Sequence, residues 1–136
     1  MKGEDKMRQE TRERIKDSII QEYEMRQLNN KEAMLDYLEI YLSECFDIPL
    51  GIAEIKRDET QMSLTIFDRY ICFDYPRNNI EVRYTPENEK ELFVGSINFT
   101  ESSPRPLWEN IDKKRELFDI KHLDHFMERA FYSFTE

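Results

Sequence analysis

Two histidines lie three residues apart near the end of the chain and are the first candidates for chemistry. His122 and His125 are the only histidines in the sequence, and Asp119 and Glu128 continue the same spacing. Residues three apart are neighbours on a helix, so these side chains could hold a metal ion or exchange protons. The helical pattern, however, places His122 at the edge of an apolar stripe and assigns Asp119 to a helix cap. A structural role is favoured, and no metal ligand, catalytic residue or cofactor is predicted.

Motifs of the common enzyme classes are missing from the sequence. The three glycines, Gly3, Gly51 and Gly95, are too dispersed to form a phosphate-binding loop or a dinucleotide fingerprint. The chain has no Gly-x-Ser-x-Gly, His-Glu-x-x-His or Cys-x-x-Cys motif. Because enzymes without such motifs exist, an enzymatic or small-ligand-binding domain with a pocket between sheet and helices stays open as an alternative. A non-enzymatic role is favoured over it.

The cysteines and the N-terminal residues indicate the compartment. Cys45 and Cys72 are far apart, and each precedes a phenylalanine, as expected for small buried hydrophobic residues. The N-terminus is charged and no apolar segment of a signal peptide follows it. No apolar run approaches the roughly 20 residues of a membrane-spanning helix. A cytoplasmic protein with reduced thiols and no membrane contact is predicted.

Arginine and tyrosine are interleaved in the middle of the chain, as in some sheets that bind single-stranded nucleic acid. The residues concerned are Arg69, Tyr70, Tyr75, Arg77, Arg83 and Tyr84. Neighbouring carboxylates, including Asp68, Asp74 and Glu81, cancel this positive charge locally. The chain also carries a net charge of −9, the opposite of the basic footprint of a nucleic-acid-binding protein. Nucleic-acid binding on the sheet is therefore the weakest of the functional hypotheses.

Two segments are candidate partner-binding surfaces. The first follows a proline-rich stretch and contains Arg105, Leu107 and the only tryptophan, Trp108. Arginine and tryptophan are frequent anchors of protein interfaces, although a tryptophan that pins a loop to the core is an equally good interpretation. The second is the acidic second helix. Its candidate residues are Asp36, Glu39 and Glu44.

Helical periodicity is found at both ends of the chain. Residues 1–14 are almost entirely polar and are predicted to form a charged arm or frayed helix ahead of a single domain over residues 15–136. From Ile15 apolar residues recur every four positions, and Asn29 is predicted to cap a second helix with apolar residues on two sides. Asp119 is predicted to cap the last helix. The apolar stripe of that helix consists of Leu123, Phe126, Met127, Ala130, Phe131 and Phe134.

Period-two alternation in the middle of the chain predicts antiparallel strands. Met62, Leu64 and Ile66 alternate with polar residues, and the same pattern recurs over residues 80–84. Short turns between the strands favour a meander, whereas residues 100–110 have neither strand nor helix signal. The predicted fold class is α+β: two N-terminal helices, a four- or five-stranded antiparallel meander, and a C-terminal helix packed on one sheet face.

The distribution of charge favours a protein partner. Residues 31–60 contain three basic and eight acidic side chains, which gives −5, and an acidic surface suits a basic partner. Composition that is rich in Glu, Lys, Ile and Asn is typical of an AT-rich bacterial genome or a phage. The hypothesis is a protein-binding module, such as an inhibitor, immunity-type protein or regulator of a bacterium or mobile element. Because the apolar positions of the N-terminal helix form no clean heptad, that helix suits a homodimer contact better than a long coiled coil.

Overall fold

The computed structural model describes residues 2–47, 51–85 and 90–131, with side chains from residue 8 onward. These ranges contain three helices and one seven-stranded sheet. The helices are α1 (Lys2–Gln27), α2 (Lys31–Cys45) and α3 (Ile120–Phe131). The strands are β1 (Ala53–Arg57), β2 (Gln61–Ile66), β3 (Arg69–Asp74), β4 (Asn79–Thr85), β5 (Leu92–Asn98), β6 (Leu107–Asn110) and β7 (Arg115–Leu117). Within these ranges, no helix combines the length and apolar character needed to cross a bilayer.

Helix α1 extends away from the rest of the chain. Its 26 residues span about 39 Å at 1.5 Å per residue. Residues 8–21 are all exposed, and the first buried side chain is Met25, followed by Leu28 just beyond the helix. One continuous helix therefore runs through the predicted arm and into the predicted domain, and only its C-terminal end is anchored in the core.

Helix α2 begins at a capping asparagine. The side-chain oxygen of Asn30, Oδ1, accepts a hydrogen bond of 2.8 Å from the Ala33 amide, which satisfies one of the free amides of the first turn. The cap is one residue later than Asn29, the predicted position. Asn29 instead donates its side-chain amide to the Ser103 carbonyl oxygen at 2.8 Å, joining the α1–α2 connection to the loop before β6.

The strands form a simple antiparallel meander in which each pairs with its neighbour in sequence, in the order β1 to β7. Alternation places the apolar residues of consecutive strands on the same face, which α2 and α3 cover. The most deeply buried members of this face are Met62, Leu64, Ile71, Phe73, Ile80, Val82 and Ile97. The α+β class, the order of the elements and the antiparallel sheet are confirmed.

The predicted number of strands was wrong, because the sheet has seven strands rather than four or five. β1, with the sequence AEIKR, has only two apolar residues, Ala53 and Ile55, and both are only partly buried, so its alternation is too short to indicate a strand. β6 and β7 have four and three residues, and β6 lies inside the segment predicted to be a loop. Phe134, the last member of the predicted apolar stripe, lies outside the described residues.

A bulge in β5 brings a glycine and the only tryptophan together. Val82 pairs with Gly95 but Arg83 pairs with Phe93, so that Val94 is the extra residue. The ring of Trp108, on the neighbouring strand β6, lies over Gly95, where a side chain would leave no room for it. Glycine at this position allows the tryptophan to fill the core next to the bulge.

Candidate functional site

An acidic groove lies between α2 and the hairpin formed by β1 and β2. Its volume is about 670 Å³, and it is lined by Glu32, Leu35, Glu39, Arg57, Asp58, Glu59 and Tyr75. The floor is apolar, since Leu35 and Tyr75 are both buried. Carboxylates form the rim. Two elements that are distant in the sequence, the first turns of α2 and the β1–β2 turn, are required to build it.

One arginine organises the carboxylates on the α2 side of the acidic groove. Arg57 Nη1 lies 2.8 Å from Asp36 Oδ1 and 3.8 Å from Glu39 Oε1, and its Nη2 lies 3.6 Å from Glu32 Oε2. The hydrogen bond that Arg57 donates to the Asp36 carboxylate raises the pKa of Arg57 against the opposing effect of its burial, so the guanidinium stays charged. Three carboxylates thus share a single positive charge at the end of β1.

The opposite rim of the acidic groove is a rigid turn. The Asp58 carboxylate accepts hydrogen bonds of 2.8 Å from the amides of Thr60 and Gln61, which lower its pKa. The Tyr75 hydroxyl donates to the carbonyl oxygens of Asp58 and Gln61, at 2.6 and 2.9 Å. These bonds hold Asp58 ionised and aligned, and they place Glu59 at the exposed tip of the turn.

The acidic groove keeps an excess of negative charge. Four carboxylates, those of Glu32, Glu39, Asp58 and Glu59, line the groove together with the single positive charge of Arg57, which leaves −3. Of the three predicted residues of α2, Glu39 lines this groove and Asp36 contacts it through its ion pair with Arg57. Glu44 is exposed one and a half turns further along α2 and does not line it.

The other predicted partner-binding residues have structural surroundings. Arg105 is only 14% exposed; its Nη1 lies 2.7 Å from Glu22 and its Nη2 donates to the Phe118 carbonyl oxygen at 2.7 Å. Trp108 is 5% exposed and packs on Phe126 with 4.7 Å between ring centroids. Leu107 lies on the opposite sheet face and is half-buried. These three residues form no common exposed surface.

The two histidines have different surroundings. His122 Nδ1 accepts a hydrogen bond of 3.1 Å from the Asp119 amide, which assigns the ring proton to Nε2, and Nε2 donates to Glu116 at 2.8 Å. Its ring also stacks on Phe118, with 5.4 Å between centroids. Both ring nitrogens of His122 thus form hydrogen bonds that hold the start of α3. The Asp119 carboxylate caps the same helix by accepting a hydrogen bond of 2.8 Å from the Lys121 amide. His125 is exposed.

A second concavity, the histidine cavity, contains both histidines. It has a volume of about 460 Å³ and lies between the β5–β6 end of the sheet and α3. Its lining includes Tyr84, Leu92, Phe93, Val94, Trp108, Ile111, Glu116, His122, His125, Phe126 and Arg129. The walls are mainly apolar, and the polar groups not used by the α3 cap are Asn110, Asp112, His125 and Arg129.

The uncovered sheet face shows where the interleaved arginines and tyrosines lie. Arg69, Tyr75 and Tyr84 are buried and Arg77 lies in the turn between β3 and β4, so only Tyr70 and Arg83 of the predicted set share the uncovered face. Arg83 lies among three carboxylates, 3.2 Å from Asp74, 3.1 Å from Glu81 and 3.5 Å from Glu91. Its charge is thereby neutralised, and Tyr70 donates its hydroxyl hydrogen to Glu91.

The central cysteine is unreactive in this setting. Cys72 is buried, and burial together with the nearby Asp74 carboxylate raises the pKa of its thiol to about 12. At neutral pH the thiol is protonated, which removes the thiolate that nucleophilic or metal-binding chemistry requires. Cys45, at the end of α2, is exposed.

Neither metal chemistry nor relatedness assigns a role to this arrangement. In the part of the chain that the structure describes, no group of three or more His, Cys, Asp or Glu side chains is placed to hold a metal ion. Comparison with known proteins found no matching family model, no matching curated protein and no matching solved structure. The function is therefore argued from the surfaces themselves.

Proposed function

We propose that the chain is a non-enzymatic protein-binding module that takes a basic segment of a partner protein into the acidic groove. The observation that carries this proposal is the groove itself, an open channel with an apolar floor and three negative charges in excess. Lysine and arginine side chains suit such a channel, because their charged ends would reach the rim while their methylene stems cover Leu35 and Tyr75. A small acidic inhibitor, immunity-type protein or regulator of a bacterium or mobile element would act in this way.

The charge of the rim provides the test. We expect the double substitution Glu32→Lys with Glu59→Lys to weaken binding of a labelled Lys/Arg-rich peptide by roughly tenfold or more, because both residues are exposed and lie on opposite rims. Fluorescence anisotropy at several salt concentrations measures the affinity, which should fall as salt rises.

The matched control carries the same change of charge outside the acidic groove. Glu44→Lys with Asp47→Lys also replaces two exposed carboxylates, both near the end of α2. We expect this variant to lose no more than a small part of the affinity. An equal loss in both variants would show that the peptide responds to net charge alone and would overturn the assignment of the groove.

A second candidate function is the binding of a small amphiphilic ligand in the histidine cavity. Its volume of about 460 Å³ and its largely apolar lining favour this function, since small-molecule sites are typically of this size and character. The cations available to an anionic ligand are Arg129 and, when protonated, His125. We expect an anionic naphthalene sulfonate dye to bind here with saturable fluorescence that His125→Ala with Arg129→Ala removes. Unchanged dye binding in that variant would exclude the cavity.

A further inference from the structure

An apolar stripe runs along the projecting part of α1. It consists of Ile15, Ile19, Ile20 and Tyr23, which are 55%, 63%, 46% and 64% exposed. Four large apolar side chains on a few turns of one helix are more than the scattered exposed residues of an ordinary surface. Most helical stability in proteins comes from packing of an apolar face rather than from intrinsic propensity, so α1 is expected to gain stability from packing of this stripe.

The α1 stripe faces away from the body of the protein. At about 100° per residue, the centre of the stripe lies roughly 175° around the helix from the midpoint of Met25 and Leu28, which anchor α1 in the core. The Glu22 carboxylate, bound to Arg105 at 2.7 Å, fixes the base of the helix in this orientation. The stripe is therefore accessible to another helix along its whole length.

Charge along α1 identifies the orientation in which a helix would fit. Residues 8–16 contain four basic and two acidic side chains, which gives +2, whereas residues 17–24 contain three acidic and no basic side chains, which gives −3. A second α1 in the antiparallel direction, with Ile19 level with Ile19, places Arg14 and Lys16 of each helix level with Glu24 and Glu22 of the other, although Arg12 is then level with Arg26. A parallel arrangement would place like charges together.

We infer that the partner of the α1 stripe is a second copy of the same chain, packed antiparallel across a two-fold axis near Ile19. A two-fold interface is self-complementary, and the levels of Arg14 with Glu24 and of Lys16 with Glu22 on either side of Ile19 satisfy this requirement. Ile15, Ile19 and Tyr23 form one ridge of residues spaced by four, and two such ridges interdigitate when helices cross at about 50°. This short crossing requires no heptad repeat, in agreement with the sequence pattern.

Sedimentation of the full chain over a range of concentrations tests the inference. A crossing of about three turns is a small interface, so we expect a monomer–dimer equilibrium in the micromolar range at physiological salt. Ile19→Glu should weaken the dimer by roughly a hundredfold, because the two-fold axis brings the two new carboxylates together. Since Ile19 is exposed in the monomer, the melting temperature of the variant at low concentration should be unchanged.

The control keeps the added charge and moves it off the α1 stripe. Gln21 is exposed on the side of α1 facing away from the stripe, so Gln21→Glu should leave the dimer intact. A wild-type chain that stays monomeric at a few hundred micromolar would overturn the inference, as would a dimer that Ile19→Glu leaves unaffected. If the stripe is instead covered by a different protein, the chain alone would stay monomeric, and that result would also overturn the inference.

Disulfide trapping determines the orientation. The experiment uses a Cys45→Ser background, which removes the exposed native thiol. An antiparallel crossing at Ile19 places Ile15 of one chain opposite Tyr23 of the other, whereas the two Ile15 positions are about 12 Å apart along the helices. Mixed Ile15→Cys and Tyr23→Cys chains should therefore form a mixed disulfide, because bridging requires Cα atoms within about 7 Å. Disulfides between two Ile15→Cys chains would instead indicate a parallel dimer and contradict the proposal.

Discussion

Replacement of Gly95 by alanine is expected to lower the free energy of unfolding by about 3 kcal/mol or more. An added Cβ would lie 2.4 Å from the Glu109 carbonyl oxygen and 2.5 and 2.7 Å from two ring carbons of Trp108. The first of these atoms belongs to the backbone of the adjacent strand and cannot rotate away. The φ angle of +157° is in addition one that residues with a Cβ rarely adopt. Relief of the overlap requires β5 and β6 to separate or the tryptophan to leave its position.

Urea denaturation of Gly95→Ala and Gly51→Ala measures the effect against a matched control. Gly51 also has positive φ, +66°, but nothing lies within 4 Å of its added Cβ. Its substitution should cost only the backbone strain, about 1 kcal/mol. An equal decrease in the free energy of unfolding of the two variants would show that the overlap with Trp108 and Glu109 has no free-energy cost. That result would contradict the packing described for β5 and β6.

The parts of the fold that could be predicted from the sequence are those in which the local pattern and the tertiary environment agree. β2 and β4 alternate strictly, and the burial of Met62, Leu64 and Ile66 follows that alternation because one sheet face is covered and the other is open. The start of α3 was likewise predictable, since the Asp119 carboxylate that caps it acts only on neighbouring amides.

The strands that were missed are held by their neighbours rather than by their own composition. β1 presents Glu54 and Lys56 on the uncovered face and pairs with all of β2 except its first residue. β6 and β7 exist because β5 offers an edge for pairing and because Trp108 anchors β6 in the core. Such short segments carry too little periodicity to be distinguished from loops, and pairing over longer sequence distances decides their conformation.

The candidate site could be predicted only in part for the same reason. Asp36 and Glu39 belong to a visibly acidic helix, so their exposure on α2 could be expected from the sequence. The acidic groove, however, requires Arg57 and the β1–β2 turn with Asp58 and Glu59 to lie beside that helix. β1, which carries Arg57, was not predicted. No local sequence pattern indicates that it lies beside α2, which is about 20 residues earlier in the chain.

The environment of Trp108 was undetermined by its sequence neighbours, and the structure leads to a second large expected effect. Trp108→Ala should lower the free energy of unfolding by about 3–5 kcal/mol, because it removes a buried ring packed on Phe126 and leaves a cavity beside Gly95. For a domain of this size the total is about 5–15 kcal/mol, so much of the stability would be lost. The melting temperature should fall by roughly 10 °C or more.

The neighbouring residue distinguishes a core role of Trp108 from a partner-binding one. Leu107 is adjacent on β6 but half-buried on the other sheet face, so Leu107→Ala should change the free energy of unfolding by no more than about 1 kcal/mol. Denaturation of both variants by urea, followed by far-ultraviolet circular dichroism, gives the comparison. A Trp108→Ala chain as stable as the Leu107→Ala chain would place the ring outside the core and restore it as an interface anchor. The expected large difference would instead mean that this tryptophan serves the fold, because its burial over Gly95 holds the last two strands on the sheet.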